Sequence, residues 1–169
     1  MNNQTNKLAS ILNTKSHPID DLEYRSKCKS MLDQDGVLVL KNFLLSDSIR
    51  SILEEAIQQE RLAYYCVNEH NVYLEPFDDN YHKSHPRNKT VISSKGCITD
   101  NQVPKGSALR TLYDSEDFKE FLCSVLNEES LYKYDDNLSS INIHYAKTGQ
   151  ELGWHFDNSS FAITLLIQK

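Results

Sequence analysis

Hydrophobic positions recur at helical spacing through the first half of the chain and at strand spacing toward its end. Residues 1–18 are polar, rich in Asn, Ser and Thr, and read as a flexible arm with one helical turn around Leu8, Ile11 and Leu12. In "IDDLEYRSKCKSMLDQD", Leu22, Cys28, Met31 and Leu32 lie at roughly helical spacing. Asp20 or Asp21 can cap that helix, and Gly36 ends it. "VLVLKNF" is an apolar run of strand length that begins on β-branched Val37. "SDSIRSILEEAIQQERL" predicts a second helix, with Ser46 as N-cap and Ile49, Ile52, Leu53, Ala56 and Ile57 as its apolar stripe.

From Tyr64 to about Leu109 the helical period disappears. Aromatics (Tyr64, Tyr65, Tyr73, Phe77, Tyr81) alternate with Asn, Asp, His and Pro. Short strands are expected around Asn71–Leu74 and Thr90–Ser93, joined by long loops of the kind that pack around a site. "SEDFKEFLCSVLN" predicts a third helix, capped by Ser115 and buried through Phe118, Phe121, Leu122 and Val125. "LSSINIHYAK" is a strand with Ile141, Ile143 and Tyr145 on one face and Asn142, His144 and Ala146 on the other. Gly149 turns the chain, and "GWHFD" and "FAITLLIQ" complete a β-rich end. Helices first and strands afterwards predict an α+β protein, its helices supporting a mainly antiparallel sheet.

Composition narrows the partners. At 169 residues there is room for one domain, or for part of a larger one. A formal net charge of −6 argues against nucleic acid, which needs clustered Lys and Arg. The basic stretch "HKSHPRNK" is short, interrupted and reads as a solvated loop. Cys28, Cys66, Cys97 and Cys123 are scattered without a CxxC pair, so reduced thiols in a cytoplasmic protein are expected. The N-terminal stretch has no apolar h-region, and no run approaches a membrane span.

The candidate chemistry lies near the end. On a strand, residues i and i+2 share a face, so His155 and Asp157 would project together, with Trp154 and Phe156 turned away. An imidazole and a carboxylate on one face are two thirds of the facial ligand set that suits non-haem iron(II). Alone, the tripeptide is equally a hydrogen-bonded His–Asp pair on a solvated strand. Trp154 and Phe161 read as core, and His70, His82 and His85 lack firm ligand spacing.

The wider stretch "HYAKTGQELGWHFDNSSFAITLLIQ" resembles the iron(II)- and 2-oxoglutarate-dependent dioxygenases. A strand ending in Tyr145, a turn at Gly149, the HxD pair, a small polar loop and an apolar strand follow in the order seen there. "DGVLVLKNFL" and "ALRTLYDSEDFKEFLCSVLN" are similar to a bacterial branch containing amino-acid hydroxylases and halogenases. The resemblance covers about residues 30–169 and implies a dioxygenase domain over 19–169, built on a double-stranded β-helix, or jelly roll. It implies that His155 and Asp157 bind Fe(II), that 2-oxoglutarate chelates the same metal, that O2 is co-substrate, and that a small molecule, such as a free amino acid, is oxidised. Tyr145 is the residue implied to bind a 2-oxoglutarate carboxylate; a core Tyr with a satisfied hydroxyl is the other reading. Halogenases of the superfamily replace the carboxylate ligand with a small residue; Asp157 therefore favours hydroxylation.

The resemblance is partial. The superfamily places a second His and a 2-oxoglutarate-binding Arg or Lys well after HxD, whereas the 12 residues after Asp157 contain no His, no Arg and one terminal Lys. The remaining barrel strands need on the order of 60 residues. The expectation is a fragment holding the front half of the barrel and two of three ligands, inactive on its own, with "FAITLLIQ" as an exposed edge. The alternatives are a non-catalytic, oxygenase-derived binding module and a cupin-like binder of small ligands.

Overall fold

The computed structural model describes residues 7–134, 136 and 138–169. It is α+β, with four helices of more than one turn and a three-stranded antiparallel sheet among the described residues. These fall into two compact units, Met1–Gln58 with Thr99–Ile141, and Gln59–Ile98 with Asn142–Lys169.

The first unit is helical: α1 (Leu22–Asp35), α2 (Ser46–Gln59), α3 (Ala108–Tyr113) and α4 (Glu116–Leu126). Asp21 caps α1 by accepting from Tyr24 N–H, and Gly36 ends it at φ 69°, a conformation that favours glycine. The face of α1 that packs is the expected one only at Cys28, which is buried. Leu22 and Met31 are exposed, and Tyr24 stacks on Phe121 of α4 at 6.2 Å. In α2 the helix includes Ser46 itself, and the buried stripe is Ser48, Ile52 and Ala56, spaced by four; Ile57 faces solvent. Ser107 and Ser115 cap α3 and α4 in turn, so the stretch 107–127 is two helices with a break at Asp114. The expected face of α4 holds for Phe118, Phe121 and Val125, which are buried; Leu122 is half-buried.

The arm expected over residues 1–18 takes another form where it is described; residues 1–6 lie outside the described residues. Leu8, Ile11 and Leu12 are core residues, and Leu12 bridges to Leu44. Burying those three aliphatic side chains offsets the entropy of ordering the segment. His17, also buried, donates from Nε2 to Lys41 O (2.9 Å) and accepts the Tyr24 hydroxyl at Nδ1 (2.6 Å). Desolvation holds that hydroxyl well above the usual tyrosine range.

The second unit carries β1 (Tyr64–Asn71), β2 (Thr90–Ile98) and β3 (Ile143–Tyr145), in that order across the sheet. Tyr64 pairs with Cys97 and Asn71 with Thr90; Gly96 pairs with Tyr145 and Ile98 with Ile143. Alternation along these registers defines two faces. One carries Cys66, Asn68, His70, Val91, Ser93, Lys95, Cys97 and His144; the other carries Tyr65, Val67, Ile92, Ser94, Gly96 and Tyr145. Residues 72–89 connect β1 to β2, held by buried Asn88. Its amide bonds Asp78 O (2.9 Å) and Tyr81 O (3.0 Å) and accepts from Asp78 N–H (3.0 Å).

Three expected strands are absent and one is displaced. Residues 37–40, 153–157 and 161–169 join no ladder, and the strand expected around Asn71–Leu74 lies earlier, as β1, and ends at Asn71. Apolar, β-branched composition makes a segment compatible with a strand, but a strand also needs a partner backbone in register.

Candidate metal centre

The segment 151–157 is extended but irregular, and it is pinned at three points. Ser94 N–H donates to Glu151 O (2.7 Å), Gly153 N–H to Ser93 Oγ (2.9 Å), and Phe156 N–H to Val72 O (2.8 Å). The Gly149 turn (φ 84°) sends the chain from β3 into this path. Gly153 is buried against β2 so closely that a Cβ there would stand 2.6 Å from Ile92 O. The tripeptide therefore reaches its position through bonds to β2 and to Val72, just after β1, not through strand pairing.

His155 and Asp157 nonetheless converge. The imidazole donates from Nδ1 to Gly153 O at 2.7 Å, so in the neutral ring Nε2 carries the lone pair. Nε2 stands 3.5 Å from Asp157 Oδ1. Two lone-pair-bearing atoms facing each other at that distance favour a cation between them. One ion can lie ~2.1 Å from both, the usual length of metal bonds to His nitrogen and carboxylate oxygen. The imidazole is largely enclosed at 20% exposure and the carboxylate is open at 59%. A His whose second nitrogen is tied to a backbone carbonyl is the usual state of a metal-bound imidazole. Among the described residues no third His, Cys, Asp or Glu completes a metal-holding group.

The other expected site residue lies elsewhere. Tyr145 is on the sheet face opposite Ser93, so the structure does not bring it together with His155. Its hydroxyl is pushed up to about 12, first by desolvation and then by the Glu60 charge, and remains a proton donor at neutral pH. Glu60 accepts from Tyr65 Oη (2.7 Å) and meets Lys147 Nζ (3.5 Å). His144 is on the Ser93 face, with Nδ1 3.5 Å from Lys95 Nζ; desolvation, then the ammonium, hold its pKa below the ordinary imidazole value. His82 bonds Ser84 Oγ (2.8 Å) and His85 stacks on Tyr81 (4.4 Å), both within the 72–89 connection.

Trp154 and Phe161, expected in the core, are exposed. Trp154 packs edge-on against Phe156 (4.8 Å), which stacks on Tyr73 (5.6 Å). Sequence reasoning also missed His70 and Ser93. The His70 ring meets the His155 ring edge-to-face at 5.6 Å, and its Nε2 is 2.6 Å from Ser93 Oγ. No linear spacing links residues 70, 93 and 155; only the β1–β2 register and the path of 151–157 do so.

Residues 21–169 match a protein-family model described as Halogenase D. No curated protein and no solved structure matches the chain.

Proposed function

This chain belongs to the halogenase D family, and on that premise we propose that it is an iron(II)- and 2-oxoglutarate-dependent oxygenase of the hydroxylating kind. Its three-stranded sheet is then the front part of a jelly roll, and His155 and Asp157 are two of its iron ligands. The observation that carries the reading is the His155–Asp157 pair: a tautomer fixed by Gly153 O, with the free Nε2 lone pair aimed at a carboxylate 3.5 Å away.

When bound, iron with 2-oxoglutarate and O2 supplies an oxidant able to take hydrogen from an unactivated C–H bond, 2-oxoglutarate leaving as succinate and CO2. The chain's own residues supply position and charge. His155 offers a neutral nitrogen whose other N–H is occupied, so the ring neither rotates nor changes tautomer without breaking a hydrogen bond. Asp157 offers a full negative charge that offsets one of the two charges of a divalent ion. That carboxylate is also the ground for hydroxylation over halogenation, since halogenases of the superfamily carry a small residue there. Tyr145 stays outside this proposal because it stands on the other sheet face. The substrate class suggested by the resemblance is a small molecule such as a free amino acid.

Anaerobic titration of the 169-residue chain with Fe(II), and of its Asp157→Ala variant, tests the ligand pair. A loss of tenfold or more in affinity on substitution is expected; equal affinity in both removes the iron site. Succinate release from 2-oxoglutarate, assayed across a panel of amino acids with and without chloride, tests the reaction. Chlorinated product from the unaltered chain overturns the hydroxylating assignment.

A further inference from the structure

We propose that His70 and Ser93 are positioning residues that hold His155 in the tautomer with its proton on Nδ1. The inference rests on the metal reading above only for what the exposed Nε2 then binds.

The hydrogen bonds form a chain that seats Gly153, and the two backbone carbonyls in it, Asn71 O and Gly153 O, can only accept. Asn71 O, a backbone carbonyl, can only accept, so His70 Nδ1 (3.0 Å) is its donor. His70 Nε2 is then an acceptor, and the Ser93 hydroxyl 2.6 Å away must donate to it. Ser93 Oγ, which keeps its lone pairs while its proton goes to His70, accepts from Gly153 N–H at 2.9 Å. Gly153, anchored there, places its own carbonyl 2.7 Å from His155 Nδ1. A carbonyl cannot donate, so the neutral His155 ring carries its proton on Nδ1 and leaves Nε2 bare.

Burial gives this arrangement its stiffness. Ser93 and Asn71 are both buried, at 7% and 5% exposure, so water does not compete for these bonds. The His70 ring also stands edge-to-face against His155 (86° between planes), limiting rotation of the imidazole. His70 is not itself an available ligand, because both of its nitrogens are engaged. Its role is one step removed, which is how outer partners tune a metal-binding imidazole.

The test reads His155 directly. Metal-free chain labelled with 15N in its histidine rings, at pH 8, is expected to show His155 with Nδ1 protonated and Nε2 bare. Ser93→Ala and His70→Leu should turn this into a mixture of tautomers. His70→Gln, whose side-chain oxygen can accept from Ser93, should remain closer to the original. In Co(II) titrations, Ser93→Ala and His70→Leu should bind about 10- to 100-fold more weakly. Asp157→Ala should lose metal with the tautomer unchanged. A His155 tautomer unaltered in folded Ser93→Ala, or equally perturbed by His70→Gln and His70→Leu, overturns the proposal. If Ser93→Ala does not fold, the His70 pair decides alone. If the tautomer responds as expected while the unaltered chain takes up no Co(II), the positioning role stands and the metal reading falls.

Discussion

Gly153→Ala is the sharpest probe of how the HxD segment is seated. An added Cβ would stand 2.6 Å from Ile92 O, 2.9 Å from Val91 Cγ2 and 3.0 Å from the Ile92 carbonyl carbon. Two of those atoms are β2 backbone, held by pairing of Ile92 with Glu69, so β2 cannot yield cheaply. The 151–157 segment must instead move by about 0.8 Å to reach an ordinary 3.4 Å contact. That movement stretches the 2.9 Å bond from Gly153 N–H to Ser93. Overpacking costs about 1–3 kcal/mol and the lost bond about 1 kcal/mol. Against this, Ala lowers the entropy of the unfolded chain, worth ~0.4–1 kcal/mol, because no positive φ at Gly153 opposes it. The clash outweighs the entropy, and a net loss of about 2 kcal/mol is expected. Trp154 is the chain's single tryptophan and adjoins the substitution, so its fluorescence follows this unit in urea. With a slope of ~1.5 kcal/mol/M, the midpoint should fall by about 1.3 M. Gly106→Ala, where a Cβ meets nothing within 4 Å, lies in the other unit and should leave the Trp154 midpoint unchanged. An unchanged or raised midpoint for Gly153→Ala would refute the seating of the segment against β2.

Other expectations follow from the packing and the charges. Phe121→Ala, at one of the most buried side chains, should cost about 3–5 kcal/mol in denaturant unfolding of the helical unit. Arg110→Met should cost on the order of 3 kcal/mol by the same measurement, because Arg110 pairs with Asp100 Oδ1 (3.0 Å) and bonds the Asp100 and Val103 carbonyls. Only a small effect would mean that water replaces the guanidinium there. For His144 the folded pKa lies below the ordinary 6.5, so the unfolded chain binds the proton more readily. Its contribution is therefore complete above pH 6.5 and is lost as pH falls through 6.5 toward the folded value. Lys95→Met should raise the His144 pKa, read by proton NMR, and flatten that part of the stability profile; an unmoved pKa would show that the ammonium does not act on the ring.

Local signals were legible in the chain wherever one residue decides a local geometry. Asp21 and Ser115 cap helices because a side-chain oxygen beside a helix start can accept its unpaired N–H groups. Gly36 ends α1 because glycine enters the left-handed region without strain. The convergence of His155 and Asp157 was also legible, since residues i and i+2 on a β-like backbone project to the same side. The packing of α1 was legible only at Cys28: Tyr24 packs and Leu22 does not, because Tyr24 stacks on an aromatic ring some hundred residues away. The missing strands were not legible, since propensity belongs to a segment and a ladder belongs to a pair.

The sequence by itself determined the α+β class, the helix caps and the two candidate ligands, all of which rest on neighbours within a few positions. Only the tertiary structure decided which nitrogen of His155 is bare, that His70 and Ser93 stand behind it, and that Tyr145 faces the other way. Those outcomes depend on strand register and on where residues 151–157 cross the sheet. A shift of one position would have turned every side chain to the opposite face.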